Sequence, residues 1–188
     1  MGNHILSSGV SFGRTIVGIV TRPYETYRRI VLHGSLWELI YIGAAVSLYC
    51  VISRIEVAPV VLTYLITIGL FWWTGRLAGS KGKLTGFLLG WGYTLVPTLV
   101  WFLTTSFLYV LIPPPRSTRP EGFIFSILYL LFSATLLFWK VTLAYLALRF
   151  GLRLDLGKIS LVSLIVLPIL LLYSIGMYRM GIFRVPFL

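Results

Sequence analysis

The chain has 188 residues, of which 58% are hydrophobic and only 11% charged, where soluble domains carry about a quarter. Its 16 basic and 5 acidic residues give a formal charge of +11, but they are too few to coat a globule of this size in polar groups. A water-soluble fold, intrinsic disorder, a collagen-like repeat and a disulfide scaffold (Cys50 is the one cysteine) are thereby excluded, leaving an integral membrane protein, whose fold class the apolar runs below give as all-α.

Residues 1–34 read as a cytoplasmic N-terminal segment. Arg14, Arg22, Arg28 and Arg29 interrupt its apolar residues, so no secretory signal is expected. Phe12, Ile16, Ile19 and Val20 recur at helical spacing, as do Tyr24, Tyr27, Ile30 and Val31. Arg22-Pro23 divides the two sets, and Pro23 followed by Glu25 suits the first turn of a new helix. A basic amphipathic stretch of this kind either lies in the headgroup plane or packs on the cytoplasmic end of a bundle. Arg22, Arg28 and Arg29 are its candidate contacts with anionic lipid headgroups.

Residues 35–178 read as the membrane domain, with residues 179–188 a short tail. Apolar runs over 36–53, 57–74, 84–112, 123–148 and 159–177 predict five transmembrane helices, since about 20 residues cross the hydrocarbon core. Continuous apolar character, without polar–apolar alternation, favours helices over barrel strands. The link 54–56 is so short that the first two spans are expected to form a tight hairpin. The Pro113-Pro114-Pro115 loop up to Pro120 is expected to be stiff and extended. Arg14, Arg22, Arg28, Arg29, Arg76, Lys81, Lys83, Arg149, Arg153 and Lys158 fall on one side, against Arg54, Arg116, Arg119, Arg179 and Arg184 on the other. This excess places the N-terminus in the cytoplasm and the C-terminus outside the cell membrane.

Gly86, Gly90, Thr94 and Thr98 form a stripe of small residues along the third span, of the kind that lets helices approach closely. Pro97 beside it predicts a kink and a carbonyl freed about one turn earlier. The stripe packs either within the bundle or against a second copy. Trp72, Trp73, Trp91, Trp101 and Trp139 read as interfacial anchors or lipid-facing bulk.

Two charges lie within spans, Glu38 and Lys140. They are either a paired intramembrane polar site or a carboxylate in headgroup water beside a snorkelling lysine. Gly79-Ser80-Lys81-Gly82-Lys83-Leu84-Thr85 has the flavour of a phosphate loop but carries Leu77 and Leu84 where a Walker motif fixes glycine and serine or threonine. Lys81 and Lys83 read instead as membrane-surface charges. Neither His4 nor His33 combines with Cys50 or a carboxylate at metal-ligand or triad spacing, so no metal, cofactor or catalytic residue is expected, and nucleic acid is not an expected partner.

The proline-started stretch Pro23-Tyr24-Glu25-Thr26-Tyr27 precedes five spans and a basic glycine-rich loop, which runs into Gly92-Tyr93-Thr94-Leu95-Val96-Pro97. With Trp139 and Leu148-Arg149-Phe150-Gly151-Leu152, this resembles the Yip1 domain family, most specifically at Gly92, Tyr93 and Pro97. The resemblance implies a small polytopic membrane protein with a cytosolic N-terminus. Eukaryotic relatives act in vesicle trafficking with Rab-type GTPases and membrane-shaping proteins, whereas this compact form is similar to prokaryotic members that sometimes occur beside ABC-type transporters. The expected function is a non-enzymatic scaffold or accessory subunit that binds other membrane proteins, or forms a homo-oligomer. The alternative is a transporter or channel for small solutes or lipids, with its site around the kinked third span and Lys140.

Overall fold

Apolar side chains without internal polar competitors leave the backbone to satisfy itself, which in lipid means helices. In the computed structural model, which describes residues 2–53, 55–111 and 120–182, every regular element is helical. The elements are α1 (Gly2–Thr21), α2 (Pro23–His33), α3 (Trp37–Ile52), α4 (Val57–Leu77), α5 (Leu84–Tyr93), α6 (Leu95–Leu111), α7 (Pro120–Leu146) and α8 (Leu156–Arg179). A π-helical turn over Ala147–Gly151 extends α7. The proline-rich loop falls on residues 112–119, outside the described part.

Four continuous stretches are long and apolar enough to cross a membrane: α4, α5 with α6, α7 with its π turn, and α8. The expected first span differs in kind. α3 has 16 residues, about 24 Å at helical rise, and meets α2 at a bend of 117°. Only as a bent pair do α2 and α3 supply a fifth crossing. α4 starts soon after α3 ends, yet it packs along α8 rather than along α3. Ile68 and Phe71 on α4 meet Ile159, Val162 and Val166 on α8, and Thr63 and Tyr173 share a hydrogen bond of 3.2 Å. The expected tight hairpin is therefore short in its link but not paired along its length.

The third span runs on through α5 and α6, with its helix interrupted at Thr94, just before Pro97. Pro97 has no N–H to give to the carbonyl of Tyr93, and its ring crowds that turn. The Thr94 amide turns back to the Trp91 carbonyl at 3.0 Å, and the Thr94 hydroxyl donates to the same oxygen at 2.7 Å. The ladder thus closes on itself before Pro97, and α6 starts afresh at Leu95.

α5 lies at the centre, contributing to both buried cores. One joins Ile19, Tyr27, Ile30, Ile42, Leu89, Tyr93 and Leu143 from α1, α2, α3, α5 and α7. The other joins Phe87 with Phe71, Leu148, Leu152 and Val162. α1 and α2 are thus part of the bundle: Ile19, Tyr27 and Ile30 are buried and Phe12 and Ile16 partly so. Val20 and Tyr24, expected on the same faces, are exposed. They flank the break at Arg22, where the helical register restarts.

Trp91 and Trp101 make contacts within the chain. Trp91 packs against Phe71 and Phe87 at ring distances of 4.8 and 5.7 Å, and the Trp101 indole donates to Ser133 on α7 at 3.0 Å. Trp73 is exposed as expected, and Trp72 lies under the Arg76 guanidinium, 4.4 Å from its ring centre.

Candidate functional site

Three helices converge on Glu38. Its position in the first turn of α3 would leave it in headgroup water if α3 began at the bundle end, but α3 begins well inside. Gly34 touches Leu89, and Gly92 lies against Leu39 and Ile42, so the first turn of α3 stands beside the last turn of α5. Glu38 is consequently 3% exposed. One carboxylate oxygen accepts a hydrogen bond from the Ser11 hydroxyl of α1 at 2.9 Å, and the other accepts one from the Tyr93 hydroxyl of α5. Thr15, four residues after Ser11 and so on the same face of α1, approaches the Tyr93 hydroxyl and is itself buried. Phe12 covers the group, stacked on Tyr41 at 5.6 Å and on Tyr93 at 6.1 Å.

A carboxylate in a low-dielectric interior is costly unless its oxygens find donors. Here both are taken, and the donors come from different helices. Chemically the arrangement is a latch that ties α1 and α5 to α3. Tyr93 can reach Glu38 because it ends α5, at the break that Pro97 imposes. The resemblance singled out Gly92, Tyr93 and Pro97, and all three are buried here. Tyr93 makes the bond, Gly92 permits the approach of Leu39, and Pro97 sets the break.

Glu38 and Lys140 are not joined. Lys140 stands half-buried on α7, and the bonds of Glu38 go to Ser11 and Tyr93. The headgroup-water reading of Glu38 fails as well, because α1 covers it. What α1 brings to the site, Ser11 and Thr15, went unrecognised in the sequence. Their spacing of four was the available signal, beside the apolar residues for which the stretch was read.

The small-residue stripe packs inside the chain. A Cβ on Gly86 would meet the Val31 carbonyl at 3.1 Å, and one on Gly90 would meet Ala147 at 3.6 Å and the Tyr27 ring at 3.7 Å. Thr94 is buried with its hydroxyl on the Trp91 carbonyl, while the buried Thr98 hydroxyl has no hydrogen-bond partner among the described residues. The break at Thr94 turns the stripe into two faces, the lower of which receives α2 and the π turn.

The glycine-rich loop is filled by protein. The Ser80 hydroxyl donates to the Leu152 carbonyl at 2.5 Å, and Gly82 lies directly on the Gly151 carbonyl. Lys81 and Lys83 are exposed at this end, as are Arg22, Arg28 and Arg29 on α2 and at its start. Arg149 pairs with Asp155 at 2.7 Å and also donates to the Leu154 carbonyl, fixing the turn into α8. Among the described residues, no group of three histidine, cysteine or acidic side chains could hold a metal ion.

No curated protein and no solved structure matches the chain. A family model for the Yip1 domain matches residues 17–178, from the last turn of α1 to the end of α8. With the match running through nearly the whole length, including the break at which Tyr93 meets Glu38, the chain belongs to the Yip1 domain family.

Proposed function

We propose that this Yip1-family membrane protein is a non-enzymatic organising subunit that docks other membrane proteins along α7. The family is linked to membrane trafficking, and assembly of membrane partners is the matching role at the level of one molecule. The exposure of α7 carries this reading. Only 6% of the apolar stretch of α7 is buried within the chain, against 50% for that of α5 and α6. Phe123, Ile127, Leu130, Leu137 and Val141 are exposed at spacings of four, three, seven and four, with exposed Phe138 beside Leu137, which forms one long apolar stripe. The side of α7 adjoining the stripe is already occupied by Trp101 and Thr105 of α6, which meet Ser133 and Tyr129. In lipid such a stripe is available to another spanning helix.

Orientation belongs to the same reading. The α4–α5 loop, the turn before α8 and the end of α2 meet at one end of the bundle, where Lys83, Arg153 and Leu32 line one small cavity. The excess of basic residues at that end supports a cytoplasmic placement.

The test is photo-crosslinking in native membranes from a reactive residue placed at Leu130 or Phe138, with Val61 on α4 as a lipid-facing control. Discrete protein adducts at the α7 positions, or a homo-oligomer through them, are expected. Adducts to lipid alone, together with a monodisperse monomer after gentle extraction, would contradict the proposal. Solute flux or lipid scrambling by the purified chain in liposomes would favour a transporter instead.

A further inference from the structure

α1 and α2 touch closely at one point. A Cβ on Gly18 would come within 2.5 Å of the Thr26 hydroxyl. Alongside this contact a cleft of about 650 Å³ opens between the two helices, lined by residues 13, 14, 17, 18 and 21 of α1 and by 22, 25, 26 and 29 at the start of α2. The spacing puts a single face of each helix into the cleft.

Three of the lining side chains are Arg14, Arg22 and Arg29, and one is acidic, Glu25. Arg22 is engaged with Glu25 at 3.7 Å, both well exposed. Among the described residues, neither Arg14 nor Arg29 has an ion-pair partner. Two guanidinium groups thus reach one cavity from two helices without a carboxylate on either, an arrangement matched to the planar, multidentate recognition of a phosphate group. The space beside Gly13 is open, since a Cβ built there meets nothing within 4 Å.

The apolar surroundings identify the source of the phosphate. Val17 lines the cleft beside Arg14 and is exposed, as are Val10 and Val20 on the same helix. Guanidinium beside exposed aliphatic surface suits a ligand with a charged head and hydrocarbon tails. We propose that this cleft binds the phosphate of an anionic membrane phospholipid, with Arg14 and Arg29 as the charged ligands and Val17 against the first acyl carbons. Glu25 tunes the site by occupying Arg22.

The experiment uses the full chain in a neutral detergent, titrated with dioctanoyl phosphatidylglycerol, dioctanoyl phosphatidylcholine or inorganic phosphate and read by native mass spectrometry, with thermal melts as the control for folding. One phosphatidylglycerol per chain is expected, in clear preference to phosphatidylcholine and undisturbed by millimolar inorganic phosphate. The Arg14→Ala/Arg29→Ala variant should weaken it at least tenfold. Gly13→Phe should do the same by filling the cleft with the charge unchanged, while Arg179→Ala at the far end of α8 should have no effect. Glu25→Gln, which removes the competing acid and no packing, should tighten binding several-fold. Wild-type affinity in both the double variant and Gly13→Phe, or unchanged or weaker binding in Glu25→Gln, would overturn the site. Displacement by inorganic phosphate as effective as that by lipid would overturn the lipid and leave a soluble phosphate as the ligand.

Discussion

Glu38 shows how one residue gains its role from depth rather than from identity. A glutamate in the first turn of a spanning helix ordinarily meets water and favours the helix N-terminus. In this chain the start of α3 lies beside the end of α5, so the same side chain is enclosed and has to be satisfied by protein. Its two oxygens are served unequally: Tyr93 is fully buried, whereas Ser11 reaches in from an exposed position. Removing a partner from a buried acceptor costs about 1–3 kcal/mol, while a wetter one is replaced by water at little cost. Tyr93→Phe is therefore expected to lower stability by about 1–3 kcal/mol, and Ser11→Ala by clearly less. Thermal melts of the two variants in the same detergent check this order; a Tyr93→Phe protein as stable as wild type would show that Glu38 is not held as described.

At the scale of elements, the break between α5 and α6 and the contact of two loops decide how the bundle closes. The basic end is fastened where the glycine-rich loop meets the π turn, through the Ser80–Leu152 bond and the close approach of Gly82 to Gly151. A methyl at position 82 would run into the Gly151 carbonyl, which neither backbone can yield without shifting. Gly157, in the first turn of α8, has nothing within 4 Å of a built Cβ. Gly82→Ala should therefore destabilise the protein by more than about 1 kcal/mol, the scale of backbone-level strain and overpacking. Gly157→Ala should be neutral or gain up to about 1 kcal/mol from helix propensity. Equal melting temperatures for the two variants would contradict the described closure. Much of this level was legible in advance. Apolar runs located four crossings and the helix α3, Arg22-Pro23 the division of α1 from α2, and Pro97 the interruption of the third span. The parting of α3 from α4 was not legible, because a short link fixes where a chain reverses but not which neighbour its helices prefer. Nor were the contacts of Trp91 with Phe71 and Phe87 and of Trp101 with Ser133, since tryptophan suits an interface and a packed position equally well and only the neighbours decide.

For the whole molecule, the two cores share α5 and divide the remaining helices between them. α1, α2 and α3 gather on the side of Tyr93, and α4 and α8 on the side of Phe87. α7 spans the rim, touching both cores only near its last turns, through Leu143 and Leu148, which is why its length remains open to lipid or to a partner. The membrane class was legible from composition alone. The site was legible only in its parts: Glu38 and Tyr93 could each be singled out, but their meeting depends on how deep α3 begins, a tertiary fact with no local signature. The phospholipid cleft, the docking stripe and the direction of insertion all depend on one arrangement, a bundle crossed by helices with its basic end toward the cytoplasm. Impermeant maleimide labelling of single cysteines, placed in a Cys50→Ala background at Lys81, Arg153 and Met180 in intact and permeabilised cells, tests it most directly. Labelling at Met180 in intact cells, and at Lys81 and Arg153 only after permeabilisation, is the expected pattern; labelling of Lys81 or Arg153 in intact cells would contradict it.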